Sequence, residues 1–299
     1  MTSSFATYKS FLSKCNAADF HDDASSTAGL LIPSSTDAKL RTYYAAFDYV
    51  NTDAQLVIVG ITPGRTQMNK ANRAAALAIQ SGLSEDIALL NAKKAASFGG
   101  EMRDRLTALL DHSKINQHLG ISSCRTLWEQ HNHLVHFTSV LRNPVFAMDG
   151  AVENNYTGSS PTLATHKGFA AQRADFRNEL LSITKKALIL PLGAKVAHAI
   201  QSLVKSGAIP LTRVLNADGK VAEFAHPSGQ NAETVNLALT STPMPSDEYS
   251  QWMLSKYLVK KHEKREPVSG AEKATYLNKR LGYWTRDQHT RKALRQLLA

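Results

Sequence analysis

A chain of 299 residues, 43% of them hydrophobic, can bury one sizeable core and carry a small appendage, so one main domain is expected. Two cysteines, Cys15 and Cys124, exclude a disulfide framework and a four-thiolate cluster, and no run approaches the roughly 18 apolar residues of a membrane span. The formal charge of +10 is uneven: positions 251 to 299 hold 12 Lys and Arg against 4 Asp and Glu, whereas the preceding 250 hold 23 against 21.

Residues 1 to 50, including Leu40 to Phe47, read as helical covering structure, with Ser25 to Asp37 as a loop. Met1 to Phe20 lack a basic segment followed by an apolar run, so a cytoplasmic protein is expected. Gln55 to Gly60 is a short β-branched run ending at Pro63-Gly64, the pattern of a buried parallel strand feeding a loop. Helical spacing follows over Ala71 to Ala95 and again over Met102 to Leu110. A second strand is expected within Leu134 to Leu141, ending before Asn143-Pro144. The Gly-, Asn- and Ser-rich stretch from Asn143 to Thr165 reads as a long polar loop, and a helix resumes near Lys167.

Ala187 to Leu192 predicts a third strand, Ala194 to Lys205 a helix with Val196, Ile200 and Val204 on one side, and Val221 to Ala225 a fourth strand. This alternation predicts a three-layer α/β/α sandwich around a mostly parallel four-stranded sheet over residues 1 to 245. Ligands in such folds bind at the carboxyl ends of the strands. Residues 246 to 299 predict a basic helical extension, in which Trp252, Tyr257, Tyr276, Tyr283 and Trp284 are interleaved with Lys and Arg. That mixture suits phosphate contact and base stacking, so the expected partner is DNA; the alternative is a solvated helical surface whose aromatics pack inward.

Two turns stand at strand ends: Gly60-Ile61-Thr62-Pro63-Gly64 and His226-Pro227-Ser228-Gly229. Between them lie Phe98-Gly99-Gly100, Phe137-Thr138-Ser139-Val140 and Leu192-Gly193-Ala194. In this order the five segments, spanning roughly residues 50 to 240, resemble the uracil-DNA glycosylase superfamily, above all its mismatch-specific and single-strand-selective branches. The resemblance implies a monofunctional enzyme that everts a nucleotide and hydrolyses its N-glycosidic bond, without cofactor or metal, as a monomer held at the nucleoid by DNA. His226 would stabilise the departing base and Thr62 would place the attacking water. Ile61, Pro63, Gly64, Phe98 and Ser139 would hold the base, and Arg65, Ser228, Gly229, Gln230 and Asn231 would contact DNA.

Two positions depart from the pattern. Thr62 replaces an Asp, Asn or Glu, and a Thr hydroxyl orients water without deprotonating it near neutrality. Ser139 replaces an Asn that reads a pyrimidine edge, and one hydroxyl does not reproduce that bidentate contact. Smaller side chains leave room for a bulky modified base, for example a hypermodified or glucosylated cytosine of viral DNA, in preference to plain uracil. The rival readings are a catalytically silent DNA-binding module, a uracil or mismatch repair glycosylase, and a metal-dependent hydrolase built on His131, His133 and His136.

Overall fold

Every residue of Leu56–Gly60 (β2) is buried, as a strand covered on both faces must be, and β2 is the centre of the molecule. The computed structural model describes residues 5–16, 19–20, 29–33, 39–240 and 245–299. Before β2 come α1 (Phe5–Leu12) and a three-residue strand, β1 (Leu40–Thr42). After it come α2 (Arg65–Gln80), α3 (Glu85–Ala96), α4 (Glu101–His112), α5 (Ile115–His118) and β3 (Val135–Ser139). The chain continues through β4 (Val145–Asp149), β5 (Val152–Asn155), α6 (Ala170–Ser182), β6 (Leu188–Pro191) and α7 (Ala194–Lys205). It closes with β7 (Asn216–Ala217), β8 (Lys220–Val221), α8 (Ala232–Ala238), α9 (Ser246–Glu263) and α10 (Gly270–Leu298).

The central sheet has the order β3-β2-β6 and is parallel throughout, from Leu56 opposite Val135 and Leu188 to Gly60 opposite Ser139. Alternation along β2 sends Leu56 and Ile58 into one apolar cluster with Leu106, Leu109 and Phe224. Val57 and Val59 enter another, with Phe176, Leu180, Val196 and Ile200. Helices therefore cover both faces, and the α/β sandwich stands.

The sheet is narrower than expected. The fourth position is held by isolated parallel bridges, Ile189 to Val214 and Leu192 to Phe224, not by a continuous strand over Val221 to Ala225. Between the two bridges the chain leaves the sheet for the small antiparallel β7–β8 pair, which turns at Asp218-Gly219 with both residues at positive φ.

Three other expectations change. The helical stretch Ala71 to Ala95 divides into α2 and α3 because Gly82 (φ +73°) ends one helix and the Ser84 hydroxyl accepts from Ile87 N–H to cap the next. Part of the expected Asn143 to Thr165 loop pairs as the β4–β5 hairpin, with β1 on its other edge. Leu40 to Phe47, expected as helix, is therefore strand and irregular chain: β1 gains a partner in β4 that local sequence does not reveal. The expected loop Ser25 to Asp37 lies largely outside the described residues.

Helices α9 and α10 pair with each other, and Tyr257 stacks on Tyr276 at 4.2 Å. Farther along α10, Ala293 joins the same apolar cluster as Leu56. Around it Arg286 pairs with Glu223 at 2.8 Å, Arg291 donates to the Leu237 and Thr240 carbonyls, and Lys292 meets Asp218 at 2.5 Å. Three basic side chains of α10 are thus engaged within the molecule. Among the described residues no helix is long and apolar enough to cross a membrane.

Candidate active site

The carboxyl end of the parallel sheet opens into a small cleft. Pro63, Phe98 and Ser139, expected to meet there, line it together with Phe47, Phe137 and Arg142. Gly60 permits this closeness, because a Cβ on it would lie 3.3 Å from Ser139 Oγ and 3.6 Å from the Phe98 ring.

An aromatic stack forms one wall. Trp128 lies over Phe137 at 4.6 Å, and Phe98 meets Phe137 edge-on at 5.9 Å. The Trp128 indole donates to the Ser97 carbonyl at 2.8 Å, which fixes the chain beside Phe98. Phe98 itself sits at φ +50°, a left-handed conformation that a bulky side chain adopts only when its surroundings enforce it.

His226 follows Phe224, whose bridge to Leu192 places it two sheet positions from β2, an offset of about 10 Å at ordinary strand spacing. Its loop leaves the same edge of the sheet as the Thr62 loop. Gly193 (φ +84°) lies beside His226, where a Cβ would touch His226 Cβ at 3.5 Å. The Ser228 N–H donates to His226 Nδ1 at 3.2 Å, which leaves the proton of the neutral ring on Nε2. Burial pushes the imidazole pKa down to about 4, so the ring is an uncharged single donor at neutral pH.

Thr62 is occupied otherwise than expected. Its hydroxyl donates to the Asn143 carbonyl at 3.1 Å and accepts from Val145 N–H at 3.1 Å, tying the turn to the start of β4. One lone pair remains for any further contact. Ile61 turns toward Gly158 and the apolar cluster below, and its carbonyl accepts from Leu141 N–H. Gly64 caps α2, and the next amide, Arg65 N–H, already donates to Asn155 Oδ1.

Arg65 corrects an expectation more sharply. Its side chain is enclosed, ion-paired with the buried Glu153 and stacked 4.3 Å over Phe146, so it braces the β4–β5 hairpin and does not reach outward to a phosphate. Asn231 donates its amide to Ser228 Oγ at 2.7 Å and stabilises the turn. Gly229 and Gln230 are exposed, and Gly229 borders Arg105 of α4.

No protein-family model matches the chain. Over 196 residues, 64% of this chain and 72% of the relative, it is 35% identical to the uncharacterized protein YoxB of Bacillus subtilis strain 168. The chain belongs to the YoxB family. Among solved structures, the crystal structure of Pedobacter heparinus SMUG2 is similar with a TM-score of 0.33 and 11% identity, covering 78% of this chain and 75% of that one. A likeness at that level has no bearing on function.

In this YoxB-family chain the cleft also holds groups that sequence reading passed over. Lys93 of α3 lines it, 4% exposed, and donates to the Tyr49 carbonyl at 2.5 Å. Arg142 lines it as well, and its guanidinium lies 3.7 Å from Glu179 and 4.0 Å from Asp48. Behind them His136 Nε2 meets Glu179 Oε1 at 2.6 Å, and Tyr44 donates to Asp48 at 2.7 Å. The signal available was a lysine at position 93 on the apolar face of a helix, between Leu89 and Ala96. His136 faces this network, away from His131 and His133, and among the described residues no group of three or more His, Cys, Asp or Glu could hold a metal ion.

Proposed function

We propose that this protein is a monofunctional DNA glycosylase acting on a modified base. The observation that carries the reading is one cleft at the carboxyl ends of the parallel strands, lined by Pro63, Phe98 and Ser139, with the neutral donor His226 leaving the same sheet edge. An everted base would lie against the Phe98 ring, whose stacking offsets part of the few kcal/mol that eversion costs. Water adds its oxygen to the sugar C1′ as the C1′–N bond breaks; the bonding pair leaves with the base, and the proton of the water ends on base or solvent. Negative charge therefore develops on the base, where a preorganised N–H donor such as His226 Nε2 lowers the barrier. Thr62, its own proton engaged, can only accept from a water.

The absence of a carboxylate lining the cleft among the described residues favours dependence on leaving-group stabilisation over water activation. The same observation supports one second reading, a catalytically silent DNA-binding module. Bulky bases, including a hypermodified cytosine of viral DNA, suit the small Ser139 better than plain uracil, and antiviral defence is the role this suggests. The protein would act in the cytoplasm as a monomer on DNA.

Incubation of the purified protein with uracil-containing, unmodified and phage-modified DNA, followed by mass spectrometry of free bases, tests the proposal. Release of a modified base that resists chelator and disappears in His226→Ala supports it. Binding without release selects the silent module, and chelator-sensitive release points to a metal enzyme.

A further inference from the structure

Two cations, Lys93 and Arg142, line the cleft beside its aromatic residues, near the carboxylates Glu179 and Asp48. Lys93 Nζ has three protons, and the Tyr49 carbonyl takes one. Arg142, its side chain 11% exposed, meets Glu179 and Asp48 only at 3.7 and 4.0 Å, beyond hydrogen-bond length. Both carboxylates are satisfied from elsewhere, Glu179 by His136 and Asp48 by Tyr44. Beside these cations the Thr138 hydroxyl, 7% exposed, has no hydrogen-bond partner. Of these donors the Thr138 hydroxyl is fully enclosed, and an unmet donor there is costly unless a ligand meets it.

We infer that Lys93 and Arg142 form a receptor for an acceptor-only, anionic edge of the base, with Thr138 as a supplementary contact. Neither cation can accept a hydrogen bond, so together they select carbonyl or carboxylate oxygens and disfavour an exocyclic amino group, which narrows the modified base from a cytosine to a 4-oxo pyrimidine. The same pair would hold the negative charge that develops on a departing base, a task for which the cleft has no other cation among its described lining residues. This inference rests on reading the cleft as a base pocket, but equilibrium binding of a free base needs no bond cleavage, so the two can fail separately.

Charge on the lysine is adjustable. Burial is the main influence that pushes Lys93 down to about 8; Arg142 adds to it, while Glu179 and Asp48 oppose it. His136 beside them is neutral and donates to Glu179, and burial pushes the Tyr44 and Tyr49 hydroxyls up, so both stay uncharged. Raising the pH through this range should therefore remove the Lys93 charge before free lysines titrate.

The test is calorimetric titration of the full chain with 5-carboxyuracil, cytosine and inorganic phosphate. The expected result is 5-carboxyuracil binding at least about tenfold tighter than cytosine, with that margin lost in both Lys93→Met and Arg142→Gln. In the wild type the margin should also shrink between about pH 7 and pH 9.5, a measurement that requires no variant to fold. Equal binding of the two bases, no binding of either, phosphate binding as tight as 5-carboxyuracil, or a margin unchanged by pH and by both substitutions would overturn the assignment.

Discussion

His136 gives its Nε2 proton to Glu179 Oε1 across 2.6 Å while its Nδ1 accepts from the Asn51 amide at 3.3 Å, so the ring is neutral and the carboxylate ionised. Protonating the imidazole would require breaking the Asn51 contact in an enclosed space. Burial is the first cause that lowers His136 to about 4, and the neighbouring Lys93 and Arg142 charges act in the same sense. Against burial, which would raise it, the hydrogen bond from His136 and the nearby cations hold Glu179 down at about 2.

Acid sensitivity follows from these directions. Both groups bind protons more weakly folded than unfolded, so their stabilisation is complete above the unfolded histidine pKa near 6.5 and is lost as pH falls toward 4 and then 2. Tm measured by calorimetry should fall from about pH 7 to pH 4, and His136→Gln should flatten that slope. A Tm independent of pH over this interval contradicts the arrangement.

Removing Glu179 is expected to be severe. Glu179→Gln leaves Arg142 and Lys93 facing a buried neutral amide, and breaking one side of a buried ionic group typically costs about 3–5 kcal/mol. Urea unfolding of the variant should show that loss as a lower midpoint with an unchanged slope.

Thr62 separates anchoring from chemistry. Thr62→Val removes the bonds to Asn143 and Val145 and should destabilise by about 1–3 kcal/mol, whereas Thr62→Ser keeps the hydroxyl and should retain most stability. Equal melting curves for wild type and Thr62→Val would show that the turn is held by other contacts.

Phe98 tests the stacking wall. Phe98→Leu keeps an apolar side chain but removes the ring face, and should cost about 1–3 kcal/mol in productive DNA binding. Kinetics of base release should show a raised KM with the fold intact by circular dichroism.

The basic segment calls for a selective change, because truncating α10 would tear Ala293 from the main core. Lys256, Lys260 and Lys264 on α9 and its end have no ion-pair partner among the described residues. Their replacement by Gln should weaken DNA binding uniformly across sequences and flatten its log–log salt dependence by up to roughly three. An unchanged slope would assign that charge to solubility.

Legibility in the sequence tracked locality. β2, β6 and α7 were evident because a short β-branched run and a one-sided helix carry their own pattern. β1 and the β4–β5 hairpin were not, since Leu40 and Ala147 are partners only through tertiary pairing. At the cleft, the lining residues Pro63, Phe98 and Ser139 stand in segments that the motif order singles out, whereas Lys93 and Arg142 belong to no motif. The aromatics of α9 and α10 were legible as residues but not in their orientation: Tyr257 and Tyr276 face each other, and only Trp252 is largely exposed, with Lys256 3.7 Å over its ring.

Ala293 has a consequence for biosynthesis. Because it packs in the cluster that also contains Leu56, residues more than two hundred positions earlier cannot complete their burial while that part of α10 is still inside the ribosome exit tunnel. A nascent chain of this protein would leave that part of the cluster open to solvent until α10 has emerged, a window in which chaperone engagement would be strongest.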